Sequence, residues 1–171
     1  SNSAARFANA RSRNFGSFNR YITVLGMHHE FTYFHDDDML PGPKCIEHFL
    51  KWADAFPDFA VMGQVGRRHA NWQYDRRPVP RTNKIEVVDV VVRGYFVRTE
   101  NLRHICQIGT IINDGWSGED DIMASHFISR GTGFPNVITP IGSYNEEIRY
   151  KELPAPHALN KRPDHYIRRQ A

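Results

Sequence analysis

Cysteine is scarce in this chain, where only Cys45 and Cys106 occur. Two cysteines make neither a disulfide framework nor a four-cysteine zinc site. Cys45 stands in a helix-like stretch and Cys106 stands close to isoleucines, so we expect both side chains to be small buried hydrophobic groups. The cysteine pattern therefore favours a structural role over reactive-thiol chemistry.

Long apolar runs are also lacking. No segment is long enough to span a membrane as a helix, and no signal peptide is recognisable. We therefore expect no membrane span, and the cytoplasm is slightly favoured as the location. With 171 residues, 40% of them hydrophobic and 24% charged, the chain has ordinary globular composition. This length and composition predict a single domain over 1–171, with a polar, basic tail over 146–171.

The excess of positive charge is small, with a formal net charge of +3. This excess does not indicate a nucleic-acid-binding protein, so no nucleic-acid partner is expected. It does suit a polyanionic ligand such as a nucleotide diphosphate.

Strands and helices alternate along the chain, which predicts an α/β fold. Apolar or aromatic runs predict strands near 30–34, 59–62 and 85–97, and the last run is β-branched at nearly every position. Helices are predicted after Pro41-Gly42-Pro43 and from 122 to 130. The first of these helices presents one apolar face, made of Ile46, Phe49, Leu50, Ala53 and Phe56.

Three consecutive carboxylates, Asp36, Asp37 and Asp38, follow the aromatic strand. Carboxylates packed together repel one another, so such a cluster is costly without a cation. Ligands of open α/β sheets bind beyond the carboxyl ends of strands. A cation here would be Mg²⁺ or Mn²⁺, which oxygen atoms coordinate. Substrate phosphates would supply part of its coordination shell. The alternative is a solvated acidic turn in which Asp38 caps the next helix.

A second acidic motif, Glu119-Asp120-Asp121, stands at the start of the helix predicted over 122–130. The helix dipole stabilises ionised carboxylates at the N-terminus, which is one sufficient reason for the motif. The functional alternative is a base aimed at a substrate hydroxyl. Adjacent residues on a helix point about 100° apart, so Asp120 and Asp121 cannot face one cleft equally.

Four runs of residues, taken together and in this order, resemble the GT-A glycosyltransferases. YFHDDDMLPG resembles their strand and DxD motif, and VVDVVVRGYFVRTENLRHI resembles the strand and turn that close the sugar pocket. GWSGEDDIMASHFISRGTG resembles the acidic acceptor-side motif and its helix, in a form similar to exostosin-like enzymes. SAARFANARSRN resembles the helix that precedes the DxD strand in family 2 enzymes. The resemblance covers about residues 3–140.

The resemblance implies a GT-A, Rossmann-like fold with a mixed, mostly parallel sheet flanked by helices. The family's first strand–helix units have no counterpart here, so we expect the fold to be incomplete at its N-terminus. The implied activity is metal-dependent transfer of a hexosyl or N-acetylhexosaminyl group. The donor would be a UDP- or GDP-sugar, the acceptor a saccharide or other hydroxyl compound, and the cofactor Mn²⁺ or Mg²⁺.

The same resemblance implies roles for individual residues. Asp38 would hold the metal ion, Asp36 would share it and reach the ribose side of the donor, and Asp37 would touch the donor sugar. Asp121, supported by Asp120, would act on the acceptor. The other implied contacts to nucleotide or donor sugar come from Arg11, Arg13, Gly94 and Tyr95.

Two residues outside these motifs are further candidates. Trp116 precedes the second acidic motif and either stacks on a sugar face or belongs to the core. A late histidine often completes the metal shell in this fold, which favours His157 as a ligand. An ordinary surface histidine is the alternative.

Two other functions stay open on the sequence. Clustered carboxylates on an α/β sheet also serve metal-dependent phosphoryl- or nucleotidyl-transfer enzymes, although a second set of in-strand carboxylates is missing. The second alternative is an inactive polyanion-binding fragment, whose binding would depend steeply on salt and need no Mn²⁺. The sequence does not decide between an inverting and a retaining transfer.

Overall fold

The computed structural model describes residues 16–24, 26–70, 73–74, 77–79, 83–110, 120–141 and 145–154. A 3₁₀ turn at Gly16–Phe18 leads into helix α1 (Asn19–Val24), which is followed by helices α2 (Cys45–Ala55) and α3 (Asp120–Thr132). A 3₁₀ helix spans Thr99–Thr110. No helix within these ranges is long and apolar enough to cross a membrane.

The strands are short. In chain order they are β1 (Phe31–Phe34), β2 (Met39–Leu40), β3 (Met62–Gly63), β4 (Gly66–Arg67), β5 (His69–Ala70), β6 (Gln73–Tyr74), β7 (Glu86–Val88), β8 (Val90–Val91), β9 (Tyr95–Arg98), β10 (Asn136–Ile138) and β11 (Lys151–Glu152).

Over the described residues, the main sheet has five strands in the order β1-β9-β3-β10-β7. β9 runs antiparallel to β1 and β3, β10 runs parallel to β3, and β7 runs antiparallel to β10. The prediction of an α/β fold with a mixed sheet is confirmed, but the expectation that the sheet is mostly parallel is wrong. A β-branched run such as 85–97 indicates burial on both faces, and burial does not determine strand direction.

The single strand predicted over 85–97 is divided in the structure. β7 and β9 belong to the main sheet, whereas β8 between them pairs with β4. The N–H of Asp89 donates to the carbonyl of Arg67 (3.0 Å) between β7 and β8. Arg93, with a φ of 76°, turns the chain before β9. β-branched residues favour extended backbone but do not mark where a chain changes sheets.

Side chains of the main sheet alternate between two buried clusters, as the pleat of a strand requires. Tyr95 and Val97 join the cluster that packs against α1, α3 and the 3₁₀ helix. Phe96, between them, joins the cluster against α2. Both faces of β9 are therefore buried, which accounts for its continuous apolar sequence.

Helix α2 confirms Phe49 and Ala53 of the predicted apolar face but not Ile46 or Leu50. Its buried residues are Cys45, Phe49 and Ala53, and Trp52 and Phe56 pack beside them. Ile46 and Leu50 are each 41% exposed. Positions three and four apart fit both choices of face, so the helical period alone leaves the rotation of the helix open. The expectation that Cys45 is a buried hydrophobic group is confirmed, whereas the side chain of Cys106 is outside the described part.

Residues 145–154, the described beginning of the stretch predicted as a polar, basic tail, are attached to the rest of the fold. β11 pairs with β2. The buried amide of Gln64 donates to the carbonyl of Ile148 (2.7 Å) and accepts from the N–H of Tyr150 (3.2 Å). These contacts attach the segment to the loop after β3, which brings it close to the loop that carries the acidic triplet.

Candidate functional site

Strands β1, β3 and β10 run in one direction, so their carboxyl ends lie at the same edge of the sheet. The antiparallel strand β9 begins at this edge, with Tyr95 in register with Phe34 of β1 and with Gly63 of β3. Asp36 follows β1 by two residues. Open α/β sheets bind ligands beyond the carboxyl ends of their strands, which makes this edge the candidate site.

Arg20 joins the two acidic motifs at this edge. Its Nη1 atom is 3.2 Å from Oδ1 of Asp36, and its Nε atom is 3.5 Å from Oδ2 of Asp120. The side chains are partly covered, with exposed fractions of 29% for Arg20 and 14% for Asp120. One guanidinium therefore contacts a carboxylate from each of the two acidic motifs.

Helix α1 positions Arg20 through the residue that follows it. Tyr21 is 2% exposed, and its ring packs edge-on against Phe34 at the end of β1 (5.2 Å between centroids). Neighbouring residues on a helix point about 100° apart, so burial of Tyr21 leaves Arg20 directed along the sheet edge. An apolar anchor in this short helix therefore determines where the guanidinium lies.

Opposite charges around Arg20 outweigh its partial burial. Burial by itself would lower the pKa of the Arg20 guanidinium, but the carboxylates of Asp120 and Asp36 contribute to raising it above its ordinary value. Burial raises the pKa of the Asp36 carboxyl, Arg20 lowers it, and Asp120 and Asp38 raise it; the net direction is upward. The charged form of Asp36 is thus held at some cost, which a further cation would relieve.

A buried pair of tyrosines lies behind Asp120. The hydroxyls of Tyr21 and Tyr95 share a short hydrogen bond, and the Tyr21 hydroxyl also lies 3.2 Å from the backbone carbonyl of Asp120 and 3.4 Å from its Oδ2. Burial raises the pKa of both tyrosines well above the ordinary value, with Asp120 contributing in the same direction. Both hydroxyls therefore keep their protons and act as donors or acceptors, not as bases.

The two aspartates at the start of α3 have different surroundings. Asp120 contacts Arg20 and Tyr21, whereas Oδ1 of Asp121 accepts a hydrogen bond from the N–H of Ile122 (2.9 Å). Both carboxylates lie in the first turn, where the helix dipole favours the ionised form. Of the two, Asp120 is the one in direct contact with the guanidinium that reaches Asp36.

The acidic triplet spreads its side chains. Asp36 turns toward Arg20, Asp37 is exposed, and Asp38 is half-buried and close enough to Asp36 for its charge to raise the pKa of that carboxyl. The carbonyl of Asp38 accepts a hydrogen bond from the N–H of Leu153 (2.7 Å), which ties the turn to the segment after β11. Asp36 and Asp38 are thus the pair of carboxylates that share one neighbourhood.

Asp36 and Asp38 offer carboxylate oxygens, the kind of donor atom that Mn²⁺ and Mg²⁺ prefer. Mg²⁺ is commonly held by one or two carboxylates, with water and substrate phosphates completing its shell. Within the described ranges, no group of three or more His, Cys, Asp or Glu side chains is arranged as a complete metal site. Asp36 and Asp38 would therefore hold Mn²⁺ or Mg²⁺ only together with oxygen atoms from outside this group.

Gly94 and Tyr95 occupy the expected edge, but their closest neighbours are parts of the protein. A Cβ atom at Gly94 would lie 2.8 Å from the ring of Tyr150, whose hydroxyl donates to the Gly94 carbonyl (3.0 Å). The ring of Tyr95 is 1% exposed. The close approach that Gly94 permits is therefore made by Tyr150, and Tyr95 supports the site from beneath instead of presenting an open surface.

Four predicted site residues lie outside the described residues: Arg11, Arg13, Trp116 and His157. Their roles stay predictions. Conversely, sequence reasoning gave no role to Arg20, which the structure places between the acidic motifs. Tyr21 had a signal, since it recurs with Phe18, Ile22 and Leu25 at helical spacing in the sequence. Arg20 had none, because its two partners are distant along the chain.

Comparison with known proteins finds no matching protein-family model and no matching curated protein for this chain. The features that bear on function are therefore those of the site itself. They are two acidic motifs, one arginine between them, and a buried tyrosine pair behind Asp120.

Proposed function

We propose that the chain transfers a sugar from a nucleotide-diphosphate donor to a hydroxyl acceptor. The observation that carries the proposal is the contact of Arg20 with both Asp36 and Asp120. Such a transfer needs acidic groups for two tasks, one beside the donor diphosphate and one beside the acceptor. Two acidic motifs more than 80 residues apart in the chain meet at one sheet edge, where both tasks can be served together.

The donor side of the proposal rests on Asp36 and Asp38. A divalent cation bound there would neutralise the diphosphate and make it a better leaving group. The chain's own contribution is to hold two carboxylates close together in a turn that Leu153 and Arg20 both restrain. Burial, and then the charges of Asp120 and Asp38, raise the pKa of Asp36 even with Arg20 beside it.

The acceptor side rests on Asp120 and Asp121. In an inverting transfer, the acceptor oxygen bonds to the anomeric carbon while the bond from that carbon to the diphosphate oxygen breaks. The nucleoside diphosphate leaves with the electron pair, and the acceptor proton goes to a carboxylate. Asp121 is the base that the resemblance implies, and Asp120, in contact with Arg20 and Tyr21, would support it. In a retaining transfer the same residues would instead position the sugar.

The decisive test is a calorimetric titration of UDP and GDP with and without Mn²⁺. We expect binding that requires Mn²⁺ in the wild type and is abolished in Asp38→Ala, because the cation loses a ligand. Asp54→Ala is the matched control, since Asp54 is an exposed aspartate on α2. Unchanged Mn²⁺ affinity in Asp38→Ala would show that the DxD assignment is wrong.

The other functions give different results in the same titration. A polyanion-binding protein would bind both nucleotides without Mn²⁺ and lose affinity steeply with salt. A phosphoryl- or nucleotidyl-transfer enzyme would need the metal but would cleave a phosphate bond of the donor and leave its sugar on the phosphate. Product analysis with a UDP- or GDP-sugar and a saccharide acceptor separates that case from sugar transfer.

A further inference from the structure

Arg93 has a backbone conformation that its side chain opposes. Its φ is 76°, and among the described residues it is the one non-glycine residue in the left-handed region. An L-amino acid with a large side chain rarely adopts this conformation, because Cβ approaches the following carbonyl. Residues held in such conformations concentrate at ligand-binding and active sites.

The neighbours of Arg93 impose this conformation. The N–H of Val92 donates to the carbonyl of Val65 (3.0 Å), and the Gly94 carbonyl accepts from the hydroxyl of Tyr150 (3.0 Å). Val92 is buried as well. The backbone on both sides is thus tied to other elements, and a glycine at 93 would fit the turn with less strain.

The contact that the Arg93 side chain makes does not offset that strain. Its guanidinium forms an ion pair with Glu152 on β11, and the two side chains are 37% and 62% exposed. Ion pairs between solvent-exposed side chains contribute little stability, less than a left-handed arginine costs. The stability of the fold therefore gives no reason for an arginine at this position.

The location of the ion pair suggests what the arginine binds. Glu152 is in register with Met39, and the N–H of the next residue, Leu153, donates to the carbonyl of Asp38. The Arg93–Glu152 pair thus lies beside the turn that carries Asp38. A guanidinium is a planar fork of N–H donors that matches two oxygen atoms of a phosphate.

We infer that Arg93 is a phosphate-binding residue of this sheet edge, and that it exchanges Glu152 for oxygen atoms of the ligand's phosphate. The identity of the ligand as a nucleotide diphosphate rests on the proposed function. In the absence of ligand, Glu152 holds the guanidinium beside Asp38. Glu152 therefore competes with the phosphate for Arg93.

Because Glu152 competes with the phosphate, substitutions of Arg93 and Glu152 should change pyrophosphate affinity in opposite directions. In calorimetric titrations with sodium pyrophosphate in the presence of Mn²⁺, Arg93→Gly should bind more weakly by on the order of tenfold. Glu152→Gln should bind about two- to fivefold more tightly, because the competing carboxylate is gone. Arg93→Asn, which also tolerates a left-handed backbone, should reproduce the loss seen with glycine.

Charge-matched variants separate contact from long-range electrostatics. Arg68→Gln removes a cation from a surface ion pair with Glu86, whose strand β7 is at the far end of the strand order from β1. Glu147→Gln removes an anion from the same segment as Glu152, where Glu147 pairs with Lys44. Pyrophosphate affinity in both should stay close to that of the wild type.

A purely structural ion pair predicts changes of the same sign in the Arg93 and Glu152 variants, and that result would overturn the inference. Equal affinity in wild type and Arg93→Gly, or no pyrophosphate binding to the wild type, would also overturn it. The proposed function is judged separately, by sugar transfer. Transfer with unchanged pyrophosphate affinity in Arg93→Gly would contradict only the role of Arg93, and Arg93-dependent pyrophosphate binding without transfer would contradict only the proposed function.

Discussion

One face of the main sheet buries a pair of hydrogen-bonded tyrosine hydroxyls, and the other face buries stacked phenylalanine rings. Tyr21 and Tyr95 belong to the first face and share a hydrogen bond beneath Asp120. Phe96 belongs to the second, where it stacks on Phe49 (5.4 Å, 11° between planes) and on Phe31 (4.9 Å). Adjacent residues of β9 thus serve a polar site and a dry core.

The difference shows how the site obtains rigidity. Hydrogen bonds at the sheet edge orient Asp120 and Arg20, but partly exposed ion pairs contribute little to the free energy of folding. The stacked face against α2 supplies apolar burial, which is the larger stabilising contribution. We expect substitutions on the polar face to change activity first, and substitutions on the apolar face to change stability first.

The largest expected effect is on catalysis at the polar face. Asp121→Asn should lower sugar transfer by about 10²–10⁴ while donor and Mn²⁺ binding stay nearly unchanged, because charge and basicity are lost but size is kept. Steady-state transfer rates and donor titrations measure the two quantities. An equal loss of donor binding would indicate that Asp121 holds the sugar, as in a retaining enzyme.

Asp120→Asn is the matched variant, since it alters the neighbouring carboxylate that contacts Arg20. Full activity in Asp121→Asn together with lost activity in Asp120→Asn would show that Asp120 is the functional residue. Full activity in both would remove the acidic helix start from the mechanism.

On the apolar face, Phe49→Ala should lower the free energy of unfolding by about 3–5 kcal/mol. Phe49 is fully buried and packs between Tyr33 and Phe96, so its removal leaves a cavity. Leu50→Ala, one residue along α2 and 41% exposed, should change it by less than about 0.5 kcal/mol. Chemical denaturation measures both, and a larger effect at Leu50 would contradict the helix face described here.

A smaller stability effect is expected from Tyr95→Phe on the polar face. The substitution removes one hydrogen-bond partner of the buried Tyr21 hydroxyl, which keeps its contacts with Asp120, so the cost should be about 0.5–1.5 kcal/mol. Sugar transfer by the folded variant should also fall, because Tyr21 contacts Asp120. Unchanged unfolding and unchanged transfer would mean that the tyrosine pair does not support the acidic site.

The smallest effect is a pH dependence at the apolar face. Burial, and then the charge of Lys51, lower the pKa of His48 below its ordinary 6.5, and the His48 ring bonds Thr139 (3.0 Å). A lowered pKa means that neutral His48 contributes stability above 6.5, which is lost as pH falls through the lowered value. His48→Gln should therefore lose less stability than the wild type on acidification below 6.5. An identical pH dependence in both proteins would contradict this linkage.

Local patterns predicted the elements of the site better than their arrangement. The aromatic run before Asp36 predicted β1, and the acidic residues before an apolar helix predicted the start of α3. The same kind of reasoning correctly placed Phe49 and Ala53 of α2 in the core but also placed Ile46 and Leu50 there, and both of these are 41% exposed. A helical period fits several faces, and only contact with β9 and its neighbours selects one.

By itself, the sequence determined that a strand leads into Asp36–Asp38 and that an acidic motif stands at the start of a helix predicted over 122–130, because both depend on neighbouring residues along the chain. Only the tertiary structure decided that Arg20 joins these motifs and that Arg93 faces Glu152. Those contacts depend on the order and direction of β1, β9 and β3 and on the burial of Tyr21. Strand order arises from packing between distant segments, and no short run of residues specifies it.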